Sequence, residues 1–341
     1  MTRKLVTIQK IDELKQIEGA DFIELAIIKG WQAVVKKDDY KVGDNVLYYE
    51  IDSFLPVKPE YEFLLKGSKV KKMFIEDGEE QEGILLKTKK LRGQMSQGLV
   101  MPFQLLIDLN IKKTLPNRIN IGDDVSEILG VVKYEMPIPT DLKGQVKGSF
   151  PSFIPKTDEE RIQNMTEVLG MFYVTEKLDG TSTSFYKKDG QFGVCSRNLE
   201  LEDNGQTQWQ VADKLNLREN LSDNMAIQGE LVGEGIQNNP LKIKGKEFYV
   251  YNVYNINTGK YLNFREMCIF CFSKGLTTVP VIDTNYSIHN KLEDILEYAE
   301  GKSLLNKNIE REGIVIRPRI EMKYYGNRFS FKVISNKYLL K

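Results

Sequence analysis

Short β-prone runs, cut apart by turn-forming segments with no strong helix between them, limit most sharply what the first 130 or so residues can fold into. WQAVVK (31–36), VLYYEI (46–51), GILLKT (83–88) and GLVMP (98–102) are separated by KKDDYKVGDN, IEDGEEQEG and LRGQMSQ. The expected product is a small barrel of OB type. At 341 residues the chain is comfortable for two domains rather than one.

After this part comes a stretch rich in chain breakers, with Pro137, Pro139, Pro151, Pro155, Gly144 and Gly148. We read 1–135 as the OB-fold-like module, 136–157 as a linker or strap, and 158–341 as a second domain. Thr157 and Glu160 have the spacing of a capping box, and Ile162, Met165, Val168 and Leu169 would form the apolar stripe of the helix behind it. From 171 the pattern returns to strands: FYVTEK and TSTSFYK broken by LDG, a KKDG hairpin turn into QFGVCS, then AIQGELV, EFYVYNVYNI, TTVPVI, EGIVIRP and FSFKVIS. Helices are expected at TQWQVADKLNL, REMCIFCFSKG and LEDILEYA. The class is α+β, built on antiparallel sheets rather than alternating βαβ units.

Composition removes several kinds of chemistry. His289 is the only histidine, so Ser–His or Cys–His catalysis and histidine-rich metal sites are not expected. Lysine and carboxylates must carry any reaction. Three cysteines form no disulfide framework, and the Cys268–Cys271 pair, inside a helix opened by Asn263 and Glu266 and stopped by Gly275, reads as buried apolar thiols. No apolar run approaches the roughly 20 residues a bilayer requires. MTRKLVTIQKIDELKQ lacks the features of a signal peptide, so a cytoplasmic or nuclear protein is expected, away from membranes. No coiled-coil signal appears, and a monomer is expected. Net charge is zero, yet Lys66, Lys69, Lys71 and Lys72, then Lys87, Lys89, Lys90 and Arg92, form local basic clusters suited to phosphates.

EKLDGTS (176–182) is the centre of the functional reading. A lysine ends a strand there, with an aspartate two residues on. Free lysine has a pKa near ~10.4, so only about one in a thousand or fewer is neutral at pH 7. To attack phosphorus it must be deprotonated by a nearby cation or by desolvation. Asp179 could hold that cation or its water shell, and Gly180 would let a nucleotide approach the backbone. Ser196-Arg197-Asn198 ends the next hairpin strand, suited to ribose and phosphate oxygens. Glu230 stands mid-strand among apolar residues, Tyr249 and Tyr251 share one strand face where either ring could stack on a purine, Glu312 opens another strand, and Lys332 interrupts the last one. Each residue alone suits a bland role; together they supply a nucleophile, carboxylates, an aromatic platform and phosphate-binding cations.

The series EKLDG, SRN, GELVG, FYVYN, EGIVI and FKVIS resembles motifs I, Ia, III, IIIa, IV and V of the covalent nucleotidyltransferases, the DNA ligases, RNA ligases and mRNA capping enzymes. KVGDNVLYYEIDSFLP, KLRGQMSQGLVMP and FPSFIPKTDEERIQN are similar to the Naegleria and Deinococcus type RNA ligases, the fifth RNA-ligase family. That resemblance implies an OB-fold module that assists the first step, ahead of an ATP-grasp-like nucleotidyltransferase domain. It implies an ATP-dependent RNA ligase that seals 3′-OH and 5′-phosphate ends, in nicks whose 3′-OH strand is RNA. Lys177 would carry AMP, with Glu176 beside it in the nucleotide-binding set. Asp179, Glu230 and Glu312 would hold the water shell of Mg²⁺ or Mn²⁺, and Tyr251 would stack on adenine. Arg197 would meet ribose or the acceptor phosphate, Lys332 the α-phosphate, and Arg161 the leaving pyrophosphate. Many relatives read Lys-x-Lys at motif V, whereas Val333 and Ile334 follow Lys332 here. Either one lysine suffices, or Lys337, Arg317 or Arg319 takes the second role.

Two other functions fit part of this pattern. A capping guanylyltransferase shares nucleophile and fold, but normally carries its OB module after motif V rather than before motif I. A non-catalytic OB-fold nucleic-acid-binding protein with a vestigial second domain would show erosion at the lysine or the carboxylates, and none is visible.

Overall fold

A computed structural model describes residues 4–74, 80–109, 120–134, 145–164, 170–288, 291–324 and 327–339. The chain divides into two compact units, Met1–Pro139 and Thr140–Leu339. The expected strap between them lies outside the described residues over 135–144, as does His289.

In the N-terminal unit the four expected runs are strands, and the sequence reading missed others between them. Val6–Lys10 and Leu99–Pro102 both pair antiparallel with Asn45–Tyr49. Glu13–Gln16, Ile23–Ile28 and Trp31–Lys36 make a meander, and Val132–Lys133, Ser53–Pro56, Glu80–Leu85 and Val70–Phe74 make a four-stranded sheet. Alternate side chains fill two cores, one around Ile8, Leu47, Tyr49, Leu55 and Ile84, the other around Ile28, Trp31, Ala33, Val46 and Tyr48. Burying each large apolar side chain is worth roughly 1.5–3 kcal/mol. The fold also joins the two lysine clusters: the Lys89 ammonium donates to the Gly67 carbonyl (2.9 Å) and the Ser68 hydroxyl (3.0 Å).

The second unit holds two sheets. The larger runs Val146–Ser149, Leu199–Leu201, Gln191–Cys195, Thr181–Lys188, Met225–Gly233, Lys246–Asn255, Lys260–Tyr261. The smaller runs Glu160–Arg161, Phe331–Ile334, Gly313–Pro318, Met171–Lys177, Val281–Ser287. The helices Thr207–Lys214 and Phe264–Ser273 pack Trp209, Met267 and Cys271 onto the larger sheet, and Leu292–Tyr298 packs Ile295 onto the smaller. The cysteine helix opens on the expected Asn263–Glu266 capping box and closes before Gly275, whose positive φ of 65° suits glycine. Cys271 is buried and Cys268 partly so, and all three cysteines are free thiols.

Two expectations change here. Val146–Ser149, in the middle of the expected strap, is an edge strand of the larger sheet, antiparallel to Leu199–Leu201. The capping-box helix does not begin at Thr157. Instead Glu160–Arg161 pairs parallel with Phe331–Ile334, and Ile162–Asn164 forms a single 3-10 turn, with 165–169 outside the described residues. The Thr157 hydroxyl is taken up elsewhere, 3.2 Å from the Tyr251 phenol. Among the described residues no helix is long and apolar enough to cross a membrane.

Candidate active site

Leu178, Asp179 and Gly180 carry the chain from the smaller sheet into the larger one, so Lys177 ends its strand at the mouth of the crevice between the two. Register then delivers its neighbours. Lys177 pairs with Gly313, which sets Glu312 beside it, while Ser182 pairs with Glu230 on the larger sheet. Lys177, Asp179, Arg197, Glu230, Tyr251, Glu312 and Lys332 all line one cleft of about 270 Å³. Gly180 lines the same cleft and is also demanded by packing. A Cβ there would stand 2.4 Å from the Leu231 carbonyl oxygen and 2.7 Å from a Val232 methyl, so only glycine permits the crossing.

The lysine is held by charge. Its ammonium donates to Glu312 Oε1 at 2.6 Å, and the Glu312 Oε2 atom is buried without a hydrogen-bond partner. Burial alone would lower the Lys177 pKa, but Glu312, Glu230 and Asp179 outweigh it and keep the pKa above the ordinary lysine value. Burial pushes Glu230 up to about 8, against the pull of Lys177 and with Glu312 and Asp179 adding to the rise. Three carboxylates around one ammonium form a site short of positive charge. Among the described residues no three His, Cys, Asp or Glu side chains are arranged to grip a metal ion directly. An orphaned carboxylate oxygen and surplus negative charge fit a hydrated cation held through water.

Other expected residues are placed unevenly. The Tyr251 phenol meets Ser182 (2.8 Å) as well as Thr157, while Tyr249 packs beside Leu178 and Val232 and does not line the cleft. Lys332 and Arg197 converge on the Asp158 carboxylate, at 3.2 Å and 3.9 Å. The Ser196 amide and hydroxyl both donate to the Leu199 carbonyl within the turn, and the Asn198 carbonyl accepts the Phe150 amide. Glu176 is buried, and its Oε2 accepts the Leu304 amide at 2.7 Å, with burial raising its pKa. Arg161 is not brought to the cleft lining; strand pairing sets it opposite Lys332, and its side chain is buried.

The candidates for a second motif V cation also separate. Lys337 pairs with Glu300 at 2.7 Å, and Arg319 donates to Asn285 at 3.3 Å. Arg317 does reach the cleft, but all three of its nitrogens are engaged, with the Ser330 hydroxyl (2.9 Å), the Tyr251 carbonyl (3.1 Å) and Glu159 (2.6 Å). Beside it, Arg328 donates to Asn252 (2.6 Å) and pairs with Glu321.

Sequence reasoning missed Thr157, Asp158, Glu159 and Gln237, which line the cleft, and Tyr338, which lies outside its lining. The Tyr338 phenol donates to the Asp179 carboxylate from the C-terminal helix Asn336–Leu339, and no sequence pattern announces that contact.

Comparison with known proteins agrees with this arrangement. A family model described as an OB-fold domain matches residues 5–103, and the RNA ligase model matches residues 170–334. Among curated proteins nothing matches. Among solved structures, a substituted Naegleria gruberi RNA ligase with AMP and Mn is 39% identical, at TM-score 0.80, covering 99% of this chain and 98% of that one. A second substituted form, with ATP and Mn, is 40% identical at TM-score 0.80, covering 98% of each chain. The same ligase with pyrophosphate is 40% identical at TM-score 0.79, covering 99% of this chain and 98% of that one. Identity at that level across nearly both full lengths settles the matter: this chain belongs to the RNA ligase family, with an N-terminal OB-fold domain followed by a sheet-rich ligase domain.

Proposed function

We propose that this RNA ligase is driven by ATP and joins a 3′-hydroxyl to a 5′-phosphate through a lysyl-AMP on Lys177 and an RNA-adenylate. The observation that carries the proposal is the Lys177 ammonium at the cleft, 2.6 Å from Glu312 and within the field of Glu230 and Asp179. The Naegleria relatives support it, since they were solved with ATP, AMP, pyrophosphate and Mn.

In the first step the Lys177 nitrogen attacks the α-phosphorus, a nitrogen–phosphorus bond forms, and pyrophosphate leaves. In the second, an oxygen of the RNA 5′-phosphate attacks the AMP phosphorus, and the lysine departs and regains a proton. In the third, the RNA 3′-oxygen attacks the 5′-phosphate, and AMP leaves. Lys332 and Arg197 stand ready for phosphate oxygens once Asp158 gives them up, and Tyr251 offers a ring to the base. Asp179, Glu230 and Glu312 would hold the water shell of Mg²⁺ or Mn²⁺, which would offset their charge, release the lysine proton and stabilise charge on the α-phosphate. The joined lysine clusters of the N-terminal unit give RNA a basic surface.

Labelled ATP with a divalent ion should leave a labelled band on a denaturing gel, and labelled GTP should not. A GTP band would favour a capping enzyme, and no band a binding protein. Glu230→Ala and Glu312→Ala should each cut adenylylation by roughly ten- to a hundredfold. Near-normal adduct in either variant at saturating Mg²⁺ would make that carboxylate structural.

The RNA requirement should lie in the strand that ends in the 3′-hydroxyl. A 2′-hydroxyl both donates and accepts, so polar groups can sense it. Single-turnover sealing of matched nicks differing only in the terminal 2′-hydroxyls of that strand should be far faster with RNA. Equal rates would mean a general polynucleotide ligase.

A further inference from the structure

The three cleft carboxylates are not fixed in the same way. Glu312 is tied to Lys177, and Glu230 sits inside the strand Met225–Gly233 with the Gly180 amide as its donor. Asp179 belongs to no strand. It lies on the three-residue crossing between sheets, where backbone pairing cannot set its direction. What does hold it is the Tyr338 phenol, reaching from the far end of the chain.

That phenol is itself anchored. Ser335, fully buried, is the joint between the Lys332 strand and the C-terminal helix. Its amide donates to the Glu312 carbonyl (2.8 Å), and its hydroxyl oxygen accepts the Tyr338 amide (3.2 Å). One short segment thus touches the backbone of one cleft carboxylate and the side chain of another. A donor on one carboxylate oxygen restricts rotation and leaves the second oxygen to face a hydrated cation.

We propose that Tyr338 is a positioning residue, acting through Asp179 to aim that carboxylate at the water shell of the divalent ion during lysine adenylylation. The proposal rests on the reading of Asp179 given above. It adds to the ligase motifs a residue that lies beyond the last of them, outside the span 170–334 that the RNA ligase model matches.

Tyr338→Phe is the test, because it removes the hydroxyl and keeps the ring. Mn²⁺ binding to the full chain, read by calorimetry and by the electron paramagnetic resonance of free Mn²⁺, should weaken about tenfold. The Mg²⁺ dependence of adduct formation should move to higher concentration by a similar factor, with the plateau nearly restored and Tm unchanged. In an Asp179→Asn background the same substitution should cost little further Mn²⁺ affinity, since its route of action is already gone. Unchanged Mn²⁺ affinity in Tyr338→Phe overturns the proposal. So does an equal loss in the Asp179→Asn background, or a lowered Tm with adduct formation reduced at every Mg²⁺ concentration. If the wild-type protein formed no adduct with ATP, the proposed function would fail, and the Mn²⁺ comparison would still decide the role of Tyr338.

Discussion

Lys177→Ala is expected to form no covalent nucleotidyl adduct while keeping its fold. The side chain ends in the cleft rather than in a core cluster, so truncation leaves no cavity among packed apolar residues. The loss of chemistry should be complete because nothing else can act in its place. Lys332 is engaged with Asp158, and Arg317 is tied to Glu159 and Ser330. Lys177→Arg should fail as well, since a guanidinium stays protonated at any working pH. Labelled ATP, a denaturing gel and peptide mass spectrometry check both variants. An adduct that persists, or that maps to another lysine, would overturn the assignment.

Arg317→Met should unfold far more readily than the wild type, by about 3–5 kcal/mol. Burial by itself would raise the Glu159 pKa, but Arg317 and Arg328 outweigh it and hold the carboxyl at about 2. With Arg317 gone, a largely buried carboxylate loses its 2.6 Å partner, and the Ser330 hydroxyl and Tyr251 carbonyl lose theirs. The pH dependence carries a sign. A depressed carboxylate pKa contributes stability that is full above the ordinary value of 4.5 and is lost as pH falls toward about 2. Denaturant unfolding should show that acid limb in the wild type and a reduced one in Arg317→Met. Equal stabilities near neutral pH would show that the pair holds nothing together. A Glu159→Leu/Arg317→Met double variant should recover part of the loss, because no lone charge then stays buried.

Much of the second unit was legible because local pattern and tertiary demand agree there. β-prone runs marked Met225–Gly233 and Lys246–Asn255, and the oddity of a carboxylate mid-strand marked Glu230. Lys177, Tyr251 and Lys332 reach one cleft because the register of paired strands turns sequence position into spatial position, and Asp179, Arg197 and Glu312 reach it from the turns that flank those strands. The segment 157–159 misled because Thr-x-x-Glu spacing is a local signature, whereas Thr157 and Glu159 answer to Tyr251 and Arg317, far away in sequence. Arg161 pairs with Lys332 of the last strand and is buried just outside the cleft lining. Tyr338 could not be anticipated, because its contact with Asp179 is set by a helix joint rather than by any spacing.

The edge strand Val146–Ser149 bears on how small a working piece of this enzyme can be. Trimmed to the span that the RNA ligase model matches, 170–334, the chain would lose that strand and leave Leu199–Leu201 as a bare sheet edge. Phe150 and Ile154 would go with it, uncovering Tyr186, Ala226, Tyr254 and the Cys195 thiol that they bury. An open edge beside a fresh apolar patch invites strand-to-strand association, and an uncovered thiol invites oxidation. Such a fragment would be lost to aggregates before its chemistry could be assayed, so the smallest soluble form has to begin ahead of Val146.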